Sequence, residues 1–171
     1  MMEKVLIIGN SGAGKTTFAK ALANETKLPL VHLDKIYWCG VWEHRTREEF
    51  DVLLQEELEK ERWIIDGNFD RTLPQRLRFC DTVFWLDLPI ISCLWGATKR
   101  VFESFGKSRD DMGGCCVERF DRHKFALYKS IIAFNRKNRK RYKQLLCECK
   151  DVNIIVFKSR RQVTRYLNNL K

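Results

Sequence analysis

The sequence predicts an α/β fold in which a parallel sheet is covered by helices on both faces. Three observations predict it. Five short apolar runs, Val5–Ile8, Leu30–Leu33, Trp63–Ile65, Thr82–Leu86 and Asn153–Phe157, are near-continuous instead of alternating, the pattern of strands buried on both sides. Between them lie segments with apolar residues at helical spacing, an order that builds right-handed β-α-β crossovers. The first run feeds directly into a glycine-bounded turn that opens a helix, Gly9-Asn10-Ser11-Gly12-Ala13-Gly14-Lys15-Thr16-Thr17. At 171 residues, with an apolar fraction of 44%, the chain suits a single domain spanning 1–171.

The turn after the first strand reads G-x-x-x-x-G-K-[ST], a phosphate-binding loop in its required strand-loop-helix setting. Gly9 and Gly14 permit positive φ, so successive N–H groups from Gly9 to Thr17 can converge on phosphate oxygens. The helix that follows adds free N-terminal donors and its dipole. Lys15 supplies a charge to the β- and γ-phosphates, and the Thr16 hydroxyl is placed to ligate Mg²⁺. The pattern predicts binding of a nucleoside triphosphate with Mg²⁺.

The remaining elements follow in order. Phe18, Leu22 and the alanines make an apolar stripe ended by Pro29. Thr46 with Glu49 is a capping box, ahead of Phe50, Leu53, Leu54 and Leu58. Pro89 suits a first helical turn, and Leu94, Thr98, Val101, Phe102 and Phe105 run to Gly106 as a stop. Asp121 can cap a long basic helix carrying Phe125, Tyr128, Ile131 and Ile132. Ser159 with Gln162 reads as a second capping box before Val163, Tyr166, Leu167 and Leu170. The run Gly106 to Gly114, polar and bounded by glycines, is placed where a phosphotransferase carries a lid (about 106–117), with Lys107 and Arg109 in it and Arg100 just before it. A plain surface loop is the competing reading.

Several classes are excluded. A guanine-reading N-K-x-D is absent, as is L-S-G-G-Q, and the D-x-x-G spacing at Asp110–Gly113 follows no strand. The chain is too small for a large motor ATPase. A small kinase remains, and it needs acids at strand ends and cations for the transferring group. Asp34 ends the second strand and Asp66 the third, where carboxyl ends of strands face the ligand crevice. Asp66, followed by Gly67, is the candidate for the magnesium site with Thr16. Asp34 is the candidate to orient or deprotonate an acceptor hydroxyl. A capping or turn role competes for each. Asp87 also ends a strand, but Pro89 suggests that it opens the next helix. Arg47, Arg71, Arg100, Arg109, Arg119, Arg136 and Arg139 are the candidate phosphate contacts. Tyr37, Trp38 and Trp42 either stack on an acceptor ring or cover the core.

The formal charge is +10 and unevenly spread, with eight acids in residues 43–61 and six basic residues among residues 135–143. Such a basic run implies an anionic partner, either nucleotide phosphates or nucleic acid. It lacks the interleaved aromatics that stack on bases, so DNA is the less favoured partner. Seven cysteines (Cys39, Cys80, Cys93, Cys115, Cys116, Cys147, Cys149) are odd in number and form no C-x₂₋₄-C pair; free thiols are expected, with a zinc-clipped lid as the minor alternative. No apolar stretch is long enough to span a membrane. The N-terminal strand leaves no room for a signal peptide, so a cytoplasmic protein is expected.

In combination, several stretches resemble the bacterial DNA topology modulation protein family, a branch of the adenylate-kinase-like P-loop kinases. These are Gly9 to Thr16, His32-Leu33-Asp34 with Trp38 and Trp42, Trp63 to Asn68 with Arg71, and Leu86-Asp87 with Pro89. Met112-Gly113, Glu118 to Asp121 and Lys158 to Arg161 complete the likeness, which covers nearly the whole chain. The resemblance implies a three-layer P-loop NTPase fold with a five-stranded parallel sheet in the order 2-3-1-4-5, and ATP with Mg²⁺ as donor. It also implies that Asp34, Arg47, Asp66 and Arg71, with Asn68 beside them, face a small acceptor, with a nucleoside or nucleotide among the candidates, and that Arg100 and Arg109 belong to the lid. The run Asp66-Gly67-Asn68-Phe69 replaces the Asp-Gly-Phe-Pro-Arg run of adenylate kinases, so their monophosphate pocket does not carry over. Cys115-Cys116-Val117 stands where the family more often has Gly-Cys-Pro. A nucleotide-gated DNA-binding regulator is the alternative to a kinase.

Overall fold

The computed structural model describes residues 2–40, 43–103 and 122–170. Trp42, Phe105, Gly106, the segment 106–117 expected to form a lid, with Lys107, Arg109, Cys115 and Cys116, and also Arg119 and Asp121, lie outside the described residues. Five strands, β1 (Lys4–Gly9), β2 (Leu30–His32), β3 (Trp63–Asp66), β4 (Thr82–Leu86) and β5 (Asn153–Phe157), form one parallel sheet in the order β2-β3-β1-β4-β5. This is the order that the resemblance implied.

The central strands are buried because both faces are covered. Val5, Leu6, Ile7 and Ile8 have no exposed surface, and neither do Trp63, Ile64 and Ile65. Even and odd positions feed different cores. Leu6, Ile8, Ile65, Val83 and Trp85 point into one cluster, whereas Val5, Ile7, Ile64, Phe84 and Leu86 point into the other. That division of a continuous apolar run follows from the two-residue period of a strand. β5 departs from the expectation of a fully buried strand: only Phe157 is buried, because this strand sits at the sheet edge.

Helices α1 (Lys15–Thr26), α2 (Leu33–Tyr37), α3 (Arg47–Glu59), α4 (Leu73–Leu77), α5 (Ile90–Glu103), α6 (Arg122–Glu148) and α7 (Arg160–Asn168) are seen among the described residues. α1 buries Phe18, Ala19 and Leu22 and ends at Thr26, three residues before Pro29, with Lys27 as a left-handed C-cap at φ 58°. α3 begins with the expected capping box, both Thr46–Glu49 bonds being made, and buries Phe50, Leu54 and Leu58. α7 has only half of one. Ser159 caps the Gln162 N–H, but Gln162 reaches past Ser159 to the Lys158 N–H at 2.6 Å.

Two stripes are rotated from expectation. α5 buries Cys93, Ala97 and Val101 and leaves Phe102 68% exposed. α6 buries Ile131, Phe134, Tyr142 and Leu146, leaving Phe125 and Ile132 on the outside. The long helix docks through its later turns, where Tyr142 and Asn138 donate to Asp70 and Arg139 pairs with Asp87. No helix among the described residues is long and apolar enough to cross a membrane.

Candidate active site

The site is built where β1 and β3 end side by side. Gly9, Gly12 and Gly14 adopt positive φ (146°, 75° and 92°), so the chain can curl after β1 and enter α1 with Gly14 at its N-cap. Gly12 needs to be a glycine for space as well. A Cβ there would lie 2.0 Å from the Cys93 carbonyl oxygen of α5.

Inside the curl, the Asn10 carbonyl accepts the Ala13 N–H at 3.2 Å and the Lys15 ammonium at 3.1 Å. The Asn10 side chain, buried, accepts from the Ser11 N–H and donates to the Ile131 carbonyl at 2.8 Å, tying the loop to α6. Asn68 accepts the Gly9 N–H at 3.3 Å, tying it to the segment after β3. Burial lowers the Lys15 ammonium from the ordinary lysine value, and the charges of Asp66 and Asp34 counter it. Thr17 is exposed on the first turn of α1.

Asp66 closes the pairing of β3 with both neighbours, opposite Ile7 of β1 and His32 of β2. Its Oδ2 accepts the Thr16 hydroxyl at 2.7 Å and lies 3.3 Å from His32 Nδ1. Its Oδ1 is buried with no protein partner, a state that favours an additional cationic or hydrogen-bonding ligand. A threonine hydroxyl beside a buried carboxylate oxygen is a donor set that fits Mg²⁺, which takes few protein ligands and completes its shell with phosphates and water. Among the described residues no group of three or more His, Cys, Asp or Glu could form an all-protein metal cage. Cys39, Cys80, Cys93, Cys147 and Cys149 are free thiols.

Gly67, at φ 143°, passes so close to Leu33 that a Cβ would lie 2.8 Å from the leucine Cβ. Beyond it Asn68 and Phe69 turn over a cavity of about 260 Å³ lined by Ser11, Lys15, Thr16, Asp34, Asp66, Gly67, Asn68, Phe69 and Arg100. Thus Asp34, the Asp66–Asn68 stretch and Arg100, from three separate segments, meet Lys15 and Thr16 in one space. Asp34 gets there from the first turn of α2, because β2 ends at His32 instead of Leu33. Arg100 comes from the last turn of α5.

Other candidates lie elsewhere. Arg47 is exposed at the start of α3. Arg71 makes a bidentate pair with Asp51, at 2.5 and 2.8 Å, on the outside of the molecule. Neither lines the cavity. Arg136 is exposed on α6. Arg139 holds Asp87 through Nε and Nη2 at 2.8 and 2.9 Å, and Lys158 joins the same carboxylate. Asp87 therefore fastens α6 and the end of β5 to β4 and does not cap α5, which starts after Pro89. Tyr37 packs into the core cover, stacked on His44 and edge-on to Phe50 and Trp38. Phe69, stacked on Phe50 at 4.9 Å, is the aromatic residue that lines the cavity.

One residue that shapes this neighbourhood has no sequence signal. Arg76 of α4 is fully buried and donates to the carbonyls of Gly67, Asn68 and Phe69, so it sets the course of the cavity wall. Burial lowers its guanidinium to about 10, still cationic at neutral pH. His32 does have one in hindsight, being the residue paired with Asp66 across the β2–β3 register.

Residues 5–76, from β1 into α4, match the family described as the ATPase family associated with various cellular activities (AAA). No curated protein matches the chain. Among solved structures, the chain is similar to a shikimate kinase from Bacteroides thetaiotaomicron at 19% identity and a TM-score of 0.58, covering 99% of this chain and 96% of that one. A shikimate kinase from Acinetobacter baumannii in complex with shikimate aligns at 13% identity and a TM-score of 0.62, covering 99% and 91%. A deoxyadenosine kinase from M. mycoides with bound dATP aligns at 15% identity and a TM-score of 0.55, covering 98% of each chain. The sheet order, the glycine-rich loop and these likenesses together give the fold: it is the P-loop fold that these small-molecule kinases share.

Proposed function

We propose that this protein is an ATP-dependent phosphotransferase that moves the γ-phosphoryl group of ATP to a hydroxyl of a small acceptor, with a nucleoside or nucleotide as the first candidates. The observation that carries this reading is the convergence, around one cavity, of the Lys15 loop, the Thr16–Asp66 pair and a separate carboxylate, Asp34. A pure nucleotide sensor has no need of the last.

In this reading the amides of Gly9 to Thr17 bind the phosphates, and Lys15 leaves the Asn10 carbonyl for the β- and γ-oxygens. Mg²⁺ would be held by Thr16 and Asp66, where it supplies charge neutralisation to the phosphate oxygens. Asp34 accepts the proton of the acceptor hydroxyl as its oxygen bonds to phosphorus and the bond to the ADP oxygen breaks. Arg100, with Arg109 of the lid, stabilises the charge on the transferring group. Asn68 orients the acceptor. Arg71 would reach it only after leaving Asp51, and Arg47 is the further candidate on the acceptor side. The order of motifs along the chain further supports placement beside the DNA topology modulation proteins within this kinase class.

Lys15→Ala is expected to abolish ATP turnover and leave the circular dichroism spectrum unchanged, whereas Asp34→Asn should depress acceptor phosphorylation far more than ATP affinity. Near-native transfer by Lys15→Ala would remove the loop from the mechanism, and equal losses in Asp34→Asn would make Asp34 structural.

A second reading rests on α6, which exposes Arg136, Lys137, Lys140, Arg141 and Lys143. Such a face could follow a nucleic-acid backbone, making the protein a nucleotide-gated DNA binder. Tight duplex binding that falls steeply with salt and changes with ATP would support it over the kinase.

A further inference from the structure

The phosphate loop is held from outside as well as from within. Arg160, the first residue of α7, extends across the end of the sheet, and its Nη2 donates to the Gly12 carbonyl at 3.1 Å and to the Ser92 carbonyl of α5 at 3.0 Å. The contact needs a helix without a side chain at one point. A Cβ on Gly96 would lie 2.1 Å from the Gly12 oxygen and 2.3 Å from Arg160 Nη2. Gly12 itself has no room for a Cβ against α5. The apex of the loop is thus pressed onto bare helix backbone, and one guanidinium nitrogen bridges the two.

We propose that Arg160 is a positioning residue for polyphosphate binding, acting by fixing the Gly12–Ala13 peptide plane; this rests on residues 9–17 being the phosphate-binding loop. In a trans peptide the carbonyl and the following N–H point in opposite directions, and the chain has no cis bond among its described residues. Drawing the Gly12 oxygen outward to Arg160 therefore aims the Ala13 N–H inward. That is where it points: it donates to the Asn10 carbonyl, the same acceptor that Lys15 uses. An incoming phosphate replaces that carbonyl as acceptor for both donors. Fastening matters because the plane rocks on ψ of Gly12, which at a residue with no Cβ and a φ of 75° meets little steric resistance, so that only the Ala13 side of the peptide opposes the motion. Arg160 removes that freedom before the ligand arrives, which is preorganisation of an anion site.

The same guanidinium stands at the end of β5, so a direct contact with the nucleoside part of a ligand is the rival role. Isothermal titration with two ligands separates them: magnesium with a non-hydrolysable ATP analogue, and magnesium with tripolyphosphate, which has no nucleoside. Each is titrated into the wild type, Arg160→Ala and Arg160→Lys, with thermal midpoints in parallel. Loss of an ionic hydrogen bond from an exposed side chain predicts that Arg160→Ala weakens both ligands by the same factor, about three- to tenfold. Arg160→Lys should recover part of the loss, and the midpoints should differ little because Arg160 is exposed. Weaker binding of the analogue alone would overturn the proposal in favour of a nucleoside contact. Unchanged affinities would overturn it too, and so would losses that track a large fall in midpoint. Failure of the wild type to bind either ligand would instead sink the reading of the loop on which it rests.

Discussion

Replacing Arg76 by methionine tests how the wall of the cavity is held. The side chain has no exposed surface and satisfies three backbone carbonyls, those of Gly67, Asn68 and Phe69. The Phe69 carbonyl would survive the change, because it also accepts the Thr72 N–H at 3.0 Å and the Thr72 hydroxyl at 3.1 Å. Gly67 and Asn68 would lose this support, and an unsatisfied buried carbonyl costs about 1–3 kcal/mol. Against this, methionine fills most of the volume and relieves the desolvation of a buried cation. The balance is a loss of about 3 kcal/mol, which for a domain of this size is a fall of about 6–12 °C in thermal midpoint. Phe69 adds a directional consequence. Its φ of 30° is unfavourable for a residue with a side chain, so the segment should relax once it is released, moving Asn68 and Phe69 relative to Asp34. Calorimetry gives the midpoint, and steady-state kinetics should show the acceptor KM rising more than that of ATP. A midpoint within about 2 °C of wild type would refute the reasoning, since the segment would then hold its course without the guanidinium.

Two further outcomes are expected. Burial alone would raise the Asp87 carboxyl, but hydrogen bonds from Arg139 and Lys158 outweigh it and hold the group below the ordinary carboxylate value. Its stabilisation is therefore complete above the unfolded value of about 4 and lost as pH falls through the lower folded value. Asp87→Asn should lower the urea midpoint equally at pH 7 and pH 5, with the gap to wild type closing below about pH 4; a gap that widens on acidification would refute it. Thr46→Ala removes the oxygen that caps the Glu49 N–H at 3.2 Å, and should lower the thermal midpoint by about 2–4 °C without altering nucleotide affinity.

What was legible in the sequence is what repeats or follows a local rule. Val5–Ile8 and Thr82–Leu86 are unbroken apolar runs, and a strand covered on both faces has no other way to appear. The phosphate loop is legible because positive φ at fixed spacing demands glycine, and Gly9 and Gly14 take it as expected. Thr46 and Glu49 were legible because a capping box is closed within four residues. The buried stripes of α5 and α6 lie a step out of phase with those that the apolar spacing predicts. Phe102 and Phe125 satisfy helical spacing as well as the buried Val101 and Ile131 do, and only the neighbouring elements decide which face is covered.

The site was legible in its charges and not in its supports, and the difference has one physical cause. Lys15, Thr16 and Asp66 are bound to their positions by motif or by strand end, and each lines the cavity. Arg71, Arg76, Arg139 and Arg160 are equally basic in sequence, yet their partners are a carboxylate twenty residues back, carbonyls seven to nine residues back, a carboxylate 52 residues away and a carbonyl 148 residues away. A carbonyl oxygen is the same in every residue, so an arginine that binds backbone leaves no complementary letter in the sequence. Asn10 is the same case, donating to the carbonyl of Ile131 from within the motif itself. These groups that line the cavity are therefore fixed by residue type, and those that hold them in place are fixed by topology. Because β1 lies between β3 and β4, the loop that leaves it is within reach of Asn68 on one side and Arg160 on the other, and both are used.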